Sequence, residues 1–170
     1  IDAGINLFDT ANGYSDGRSE EVLGKALEGK RDKVLISTKS GFPAGPGPND
    51  EGSSRYHLRN AVADSLRRLN TDWIDVMYLH KEDHGTPLAE TVRALADLIR
   101  AGKLRHFGVS NIRAWRIAEL CRLCDEAGID RPVASQPQYN ALNRMPEVEH
   151  LPACAYYGLG VFAYSPLARG

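Results

Sequence analysis

Six short apolar runs recur along the chain: Ile5 to Phe8, Val34 to Ile36, Ile74 to Leu79, Phe107 to Val109, Val133 to Ala134 and Gly160 to Tyr164. They are near-continuous rather than alternating, the pattern of strands covered on both faces. Between them lie stretches with helical spacing, such as Leu58, Val62, Leu66 and Leu69, then Leu88, Val92, Leu95 and Ile99, then Ile117, Leu120, Cys121 and Cys124. Strand and helix therefore alternate, which predicts an α/β fold of parallel strands joined by right-handed crossovers. Punctuation agrees: Ser19 before Glu20 and Glu21 predicts a helix start, Pro87 suits a first turn, and Gly102 sits where a left-handed stop is expected.

Two architectures satisfy this alternation, an open doubly wound sheet or a barrel. An open nucleotide-binding sheet carries a Gly-x-Gly-x-x-Gly turn between strand and helix. None is present: Gly45 and Gly47 lie in a loop with three prolines, and Gly158 and Gly160 enter a strand. What recurs is polar chemistry at the C-terminal ends of successive strands, at Asp9, Lys39, His80, Ser110 with Asn111, Gln136, and Tyr164 with Ser165. Barrel enzymes place their active sites there. The fold expected is thus a (β/α)8 TIM barrel. A full barrel takes ~250 residues, so 170 residues with six strands predict one incomplete barrel domain over residues 1–170, two strands short. Its outer strands would be open edges, prone to association, and this piece alone is expected to behave poorly and to lack activity.

The 21 basic and 22 acidic residues balance to a net charge of -1. No basic run with interleaved aromatics points to nucleic acid, and no apolar run approaches the length of a membrane span. The three cysteines are odd in number, with Cys121 and Cys124 on one helical pattern, so core packing in a reducing, cytoplasmic compartment is expected rather than a disulfide or zinc fragment. His80 and His84 have a metal-ligand spacing, but Gly85 and Pro87 disfavour a helix there, and no metal is expected. Trp73 and Trp115 are expected to pack helices against the barrel.

The strand-end residues form a chemical set. Asp9 ends one strand and Tyr14 follows in a loop; Lys39 ends the next strand and His80 the one after. A phenol, with a reference pKa near ~10, is a poor proton donor at neutral pH unless a cation stabilises its phenolate. Lys39 can supply that cation and Asp9 its counter-ion, while His80 can orient a carbonyl oxygen. The set suits carbonyl reduction, in which hydride reaches carbon and an acid protonates oxygen. Ser110, Asn111 and Gln136 could hold a carboxamide, and Tyr164 offers a flat face to a nicotinamide ring. A structural ion pair between Asp9 and Lys39, a core role for His80, or a Schiff-base role for Lys39 are the alternatives.

The chain also resembles the aldo-keto reductases along its whole length, through Asp9-Thr10-Ala11 with Tyr14, Ser19-Glu20 with Leu23-Gly24, Ser37-Thr38-Lys39, Tyr78-Leu79-His80, Gly108-Val109-Ser110-Asn111, Gln136 with Tyr139-Asn140, and Tyr164-Ser165-Pro166-Leu167. The wording around His80 is closer to the branch holding bacterial reductases and potassium-channel β subunits. The resemblance implies that the first and last strands of the barrel are the ones lacking, and it implies a catalytic tetrad of Asp9, Tyr14, Lys39 and His80. It implies cofactor contacts from Asp9, Ser110, Asn111, Gln136, Tyr164, Ser165 and Leu167, with NADPH as carrier and an aldehyde or ketone as the small-molecule substrate. It also leaves open an NADPH-binding regulatory subunit with little turnover.

Overall fold

The computed structural model describes residues 1–170. Six parallel strands lie in one sheet in strict chain order: β1 (Leu7–Asp9), β2 (Leu35–Ser40), β3 (Ile74–Leu79), β4 (Leu104–Ser110), β5 (Ala134–Gln136) and β6 (Gly160–Val161). The connections carry α1 (Arg18–Ala26), α2 (Arg55–Leu69), α3 (Leu88–Arg100), α4 (Ala114–Ala127) and α5 (His150–Tyr157). A doubly wound sheet reverses its strand order at a switch point; this sheet never does, and consecutive helices pack on one another. The result is a curled half-barrel, an incomplete (β/α)8 barrel with its helices outside.

Register assigns the two faces. Lys39 pairs with Tyr78, Tyr78 with Gly108, and Gly108 with Ala134, which places these four positions on the inner face because partners in a parallel ladder share a face. The alternate residues Ile36, Met77, Leu79, Phe107 and Val109 face the helices and form the core with Leu58, Val62, Val92, Leu95, Ile117, Leu120, Cys121 and Cys124. Each such side chain contributes roughly 1.5–3 kcal/mol on full burial.

Local signals place the helices. Ser54 caps α2, its Oγ accepting from the His57 backbone N–H at 3.2 Å, and α2 ends on Asn70 in the left-handed region at φ 51°. Gly102, at φ 71°, follows α3 as expected.

Several expectations need correction. Ser19 does not cap α1: the helix is entered through Gly17 at φ 88°, and the Ser19 hydroxyl bonds Thr10 Oγ1 at 2.8 Å. The run from Gly160 to Tyr164 is strand only at Gly160–Val161, resuming as a single bridge between Gln138 and Tyr164. The cause is Pro137, which follows β5 directly and has no N–H for the ladder. Trp115 is 61% exposed rather than packed between layers. Trp73 lies at the N-terminal end of β3, with the guanidinium carbons of Arg31 and Arg105 at 4.3 and 5.5 Å from its ring centre.

Candidate active site

At the C-terminal mouth, β1, β2 and β3 bring Asp9, Lys39 and His80 together, and the turn after β1 adds Tyr14. Lys39 is fully buried. An ammonium has three donors, and Lys39 Nζ meets three acceptors: Asp9 Oδ2 at 2.5 Å, the Thr10 carbonyl at 2.7 Å and the Tyr14 hydroxyl at 3.4 Å. Asp9 is held in turn, its Oδ1 accepting from Ser37 Oγ at 2.5 Å. A buried cation is tolerated only with such pairing.

Tyr14 is 44% exposed, so its phenol stands at the open side of this pair. Lys39 Nζ lies 4.9 Å from the centre of its ring. The chain leaves Tyr14 through three consecutive left-handed residues, Ser15 at φ 50°, Asp16 at φ 55° and Gly17 at φ 88°. Left-handed geometry costs non-glycine residues about 1–2 kcal/mol each, so the turn presenting Tyr14 is strained. Glu20, fully buried behind it, accepts from Thr38 Oγ1 at 2.5 Å and Arg68 Nε at 2.7 Å, which ties α1 to β2 and α2.

His80 follows β3, with its backbone N–H bonded to the Ser40 carbonyl at 2.9 Å. Its ring meets Tyr14 edge-on at 6.0 Å and Phe42 edge-on at 4.6 Å between centres. Burial, reinforced by the Lys39 charge and opposed by Asp9, pushes the imidazole down to about 4. It is neutral at physiological pH, with an N–H available to a carbonyl oxygen. Beneath it the buried Tyr78 phenol is pushed upward, by burial first and then by the Asp9 carboxylate.

A second polar group adjoins His80. Asn111, left-handed at φ 55°, donates from Nδ2 to the His80 carbonyl at 3.0 Å and to Ser110 Oγ at 3.1 Å, and accepts from the Tyr164 hydroxyl at 2.8 Å. Ser110 Oγ donates to the Gln136 carbonyl at 2.8 Å. Neither Ser110 nor Asn111 caps α4, which starts at Ala114 after Arg113. Ser165 joins through its carbonyl, which accepts from Asn140 Nδ2 at 3.0 Å, whereas Leu167 is 80% exposed.

The sequence model of the aldo/keto reductase family matches residues 1–170. The chain belongs to that family. Among its relatives, a probable voltage-gated potassium channel subunit beta of Oryza sativa subsp. japonica is 42% identical over 173 residues, covering 99% of this chain and 52% of the relative. Aflatoxin B1 aldehyde reductase member 2 of Rattus norvegicus is 39% identical over 174 residues, covering 100% and 46%. Aldo-keto reductase family 7 member A3 of Homo sapiens is 39% identical over 173 residues, covering 100% and 51%. The chain spans about half the length of these relatives. Membership agrees with the expectation drawn from the motifs.

Sequence reasoning missed three contributors to this neighbourhood. Thr10 offers Lys39 only a backbone carbonyl, which residue type does not disclose, and Phe42 lies in an irregular loop. Ser37 was open to inference, because it stands two residues before Lys39 and so shares its face.

Proposed function

We propose that this protein reduces an aldehyde or ketone to an alcohol with NADPH as hydride donor, through Tyr14, Lys39, Asp9 and His80. The observation carrying the reading is the saturated environment of Lys39 Nζ, which joins Asp9 to the Tyr14 hydroxyl inside the barrel mouth. The neutral His80 N–H would orient the carbonyl oxygen beside Tyr14. As that oxygen gains charge, the Tyr14 hydroxyl donates its proton, and Lys39 stabilises the phenolate left behind. Asp9 keeps the lysine in place and offsets its charge.

The residues fit a nicotinamide carrier. Ser110 and Asn111 are held in place by bonds to Gln136 and Tyr164, next to the His80 backbone. A carboxamide needs donors and acceptors together; the Gln136 side-chain amide provides both, while Asn111, its two hydrogens already engaged by the His80 carbonyl and Ser110 Oγ, offers the second lone pair of its Oδ1. Tyr164 offers its ring, while Asp9, Ser165 and Leu167 complete the contacts implied by the family. When bound, the carrier supplies the hydride. Family membership and the aldehyde reductases among the relatives support this reading.

The similarity to a potassium channel subunit beta favours a second reading, a nucleotide-binding subunit with little turnover. A Schiff-base role for Lys39 fits poorly, because three acceptors already surround its nitrogen. No helix is long and apolar enough to cross a membrane. The three cysteines are free and buried, which suits a reducing cytoplasm.

Tyr14→Phe tests the reading in the full-length protein. Reduction of an aldehyde panel should fall by at least about 100-fold, the usual scale of general acid catalysis, while NADPH still quenches intrinsic fluorescence. Turnover near the parent rate would remove Tyr14 as the acid. NADPH binding without reduction by the unaltered protein would favour the regulatory subunit.

A further inference from the structure

One buried carboxylate, on the helix side of the sheet, connects the turn that presents Tyr14 with the strand that carries Lys39. We propose that Glu20 is a positioning residue for Tyr14, acting through Arg68 and Thr38 to set the phenol hydroxyl beside Lys39 Nζ.

Of the three acceptors around Lys39 Nζ, Asp9 lies on β1 and Thr10 directly follows it, whereas Tyr14 comes from a turn and makes the longest contact, at 3.4 Å. That length is near the outer limit of a hydrogen bond, so a small movement of the turn breaks it. The entry to the turn is fixed by the Asn12 N–H, which donates to the Lys39 carbonyl at 3.0 Å. The exit is Gly17, the one buried residue between Gly13 and Arg18, and no side chain caps α1 there. Between them Ser15 and Asp16 are exposed and left-handed. Such conformations persist only where the surroundings impose them.

Gly17 rests on Arg68 of α2: a Cβ at Gly17 would lie 2.9 Å from Arg68 Cδ and 3.0 Å from its Nε. The same Nε donates to Glu20 Oε2 at 2.7 Å. Glu20 Oε1 accepts at 2.5 Å from Oγ1 of Thr38, the residue before Lys39 on β2. The foothold of the turn and the strand of Lys39 are thus tied to a single fully buried carboxylate. A buried ion pair adds little stability over an apolar pair of equal volume, but its directed bonds hold α1, α2 and β2 in one register. A turn with no side-chain cap of its own takes its position from that register.

The test uses the full-length protein carrying Glu20→Met with Arg68→Met, because apolar replacement of both partners removes the bonds without leaving a buried charge unpaired. This double variant should melt close to the parent. In 19F NMR of protein labelled with 3-fluorotyrosine, the Tyr14 line, recognised by its loss in Tyr14→Phe, should shift or broaden. Thr38→Val, which cuts the link from the other side and spares the ion pair, should move the line as well. The kinetic part rests on the proposed reduction. Turnover per NADPH-binding site should fall about 10- to 100-fold, the scale of a small misplacement, with KM for the aldehyde unchanged within about twofold. On a Tyr14→Phe background the same substitutions should cost nothing further, since Glu20 acts only through Tyr14. A Tyr14 line at its parental position in both variants, or a loss of turnover that persists undiminished on the Tyr14→Phe background, would overturn the proposal. The line is read without turnover, so a parent protein that reduces no aldehyde while the line moves would count against the proposed reduction and not against the placement of Tyr14 by Glu20.

Discussion

At the scale of single residues, the Lys39–Asp9 pair governs stability and, under the proposed function, chemistry. Removing one partner of a buried pair leaves an uncompensated charge, at a cost of about 3–5 kcal/mol. Lys39 is fully buried and the Asp9 side chain 35% exposed, so Asp9→Asn should destabilise toward the lower end of that range. Lys39→Met together with Asp9→Asn should recover much of the loss in urea unfolding, while neither variant reduces a carbonyl. Additive losses in the double variant would mean that the two groups do not act as a pair.

His80 carries a pH prediction. Its folded value is lowered from an ordinary 6.5 to about 4, chiefly by burial. Between those values the unfolded chain binds the extra proton, so stability is present above pH ~6.5 and is lost as pH falls toward ~4. Because the ring is partly solvated, the effect should be no more than about 2 kcal/mol. His80→Gln should flatten this slope over the same window. A slope equal to that of the parent would assign the effect to other groups, of which His150, also lowered by burial, is the first to examine.

The meeting of Asp9, Lys39 and His80 was legible because strand ends converge on the mouth of a barrel whatever the loop details, and Tyr14 follows the first of them by a short turn. Phe42 and the Thr10 carbonyl were not. One depends on the course of an irregular loop, and the other on a backbone atom common to all residues.

At the scale of elements, α1 and α2 meet through a glycine. Gly24 lies within α1, and a Cβ there would stand 2.7 Å from the Leu69 backbone carbonyl carbon and oxygen. In an open helix, Gly to Ala gains about 0.8–1 kcal/mol. Here the obstacle is backbone, which cannot rotate away, so Gly24→Ala should destabilise by about 1–3 kcal/mol as overpacking does. A raised melting temperature would show that α1 can move off α2. The order and type of the elements were legible because buried strands and amphipathic helices differ in period. Their ends were less so. Ser19 has the chemistry of a cap but is drawn to Thr10 by the left-handed turn before α1, and the apolar run after Gly160 looks like a longer strand than Pro137 allows.

At the scale of the whole molecule, the open sheet dominates. β1 and β6 each pair on one side only. Leu35 is on the same face as Lys39 yet 47% exposed, and near the two edges Ile5 and Phe162 are 59% and 45% exposed. Closing a barrel removes such edges; an unpaired apolar edge is a template for another chain. The 170-residue chain alone should therefore self-associate in a concentration-dependent way in sedimentation velocity. Edges are blunted by charge, so Ile5→Lys with Phe162→Lys should shift the chain toward monomer without loss of helical circular dichroism. Self-association unchanged by the two lysines would move the contact to the outer helices. A monodisperse monomer for the unaltered chain would mean that six strands suffice, and that the curl of the sheet shields its own edges.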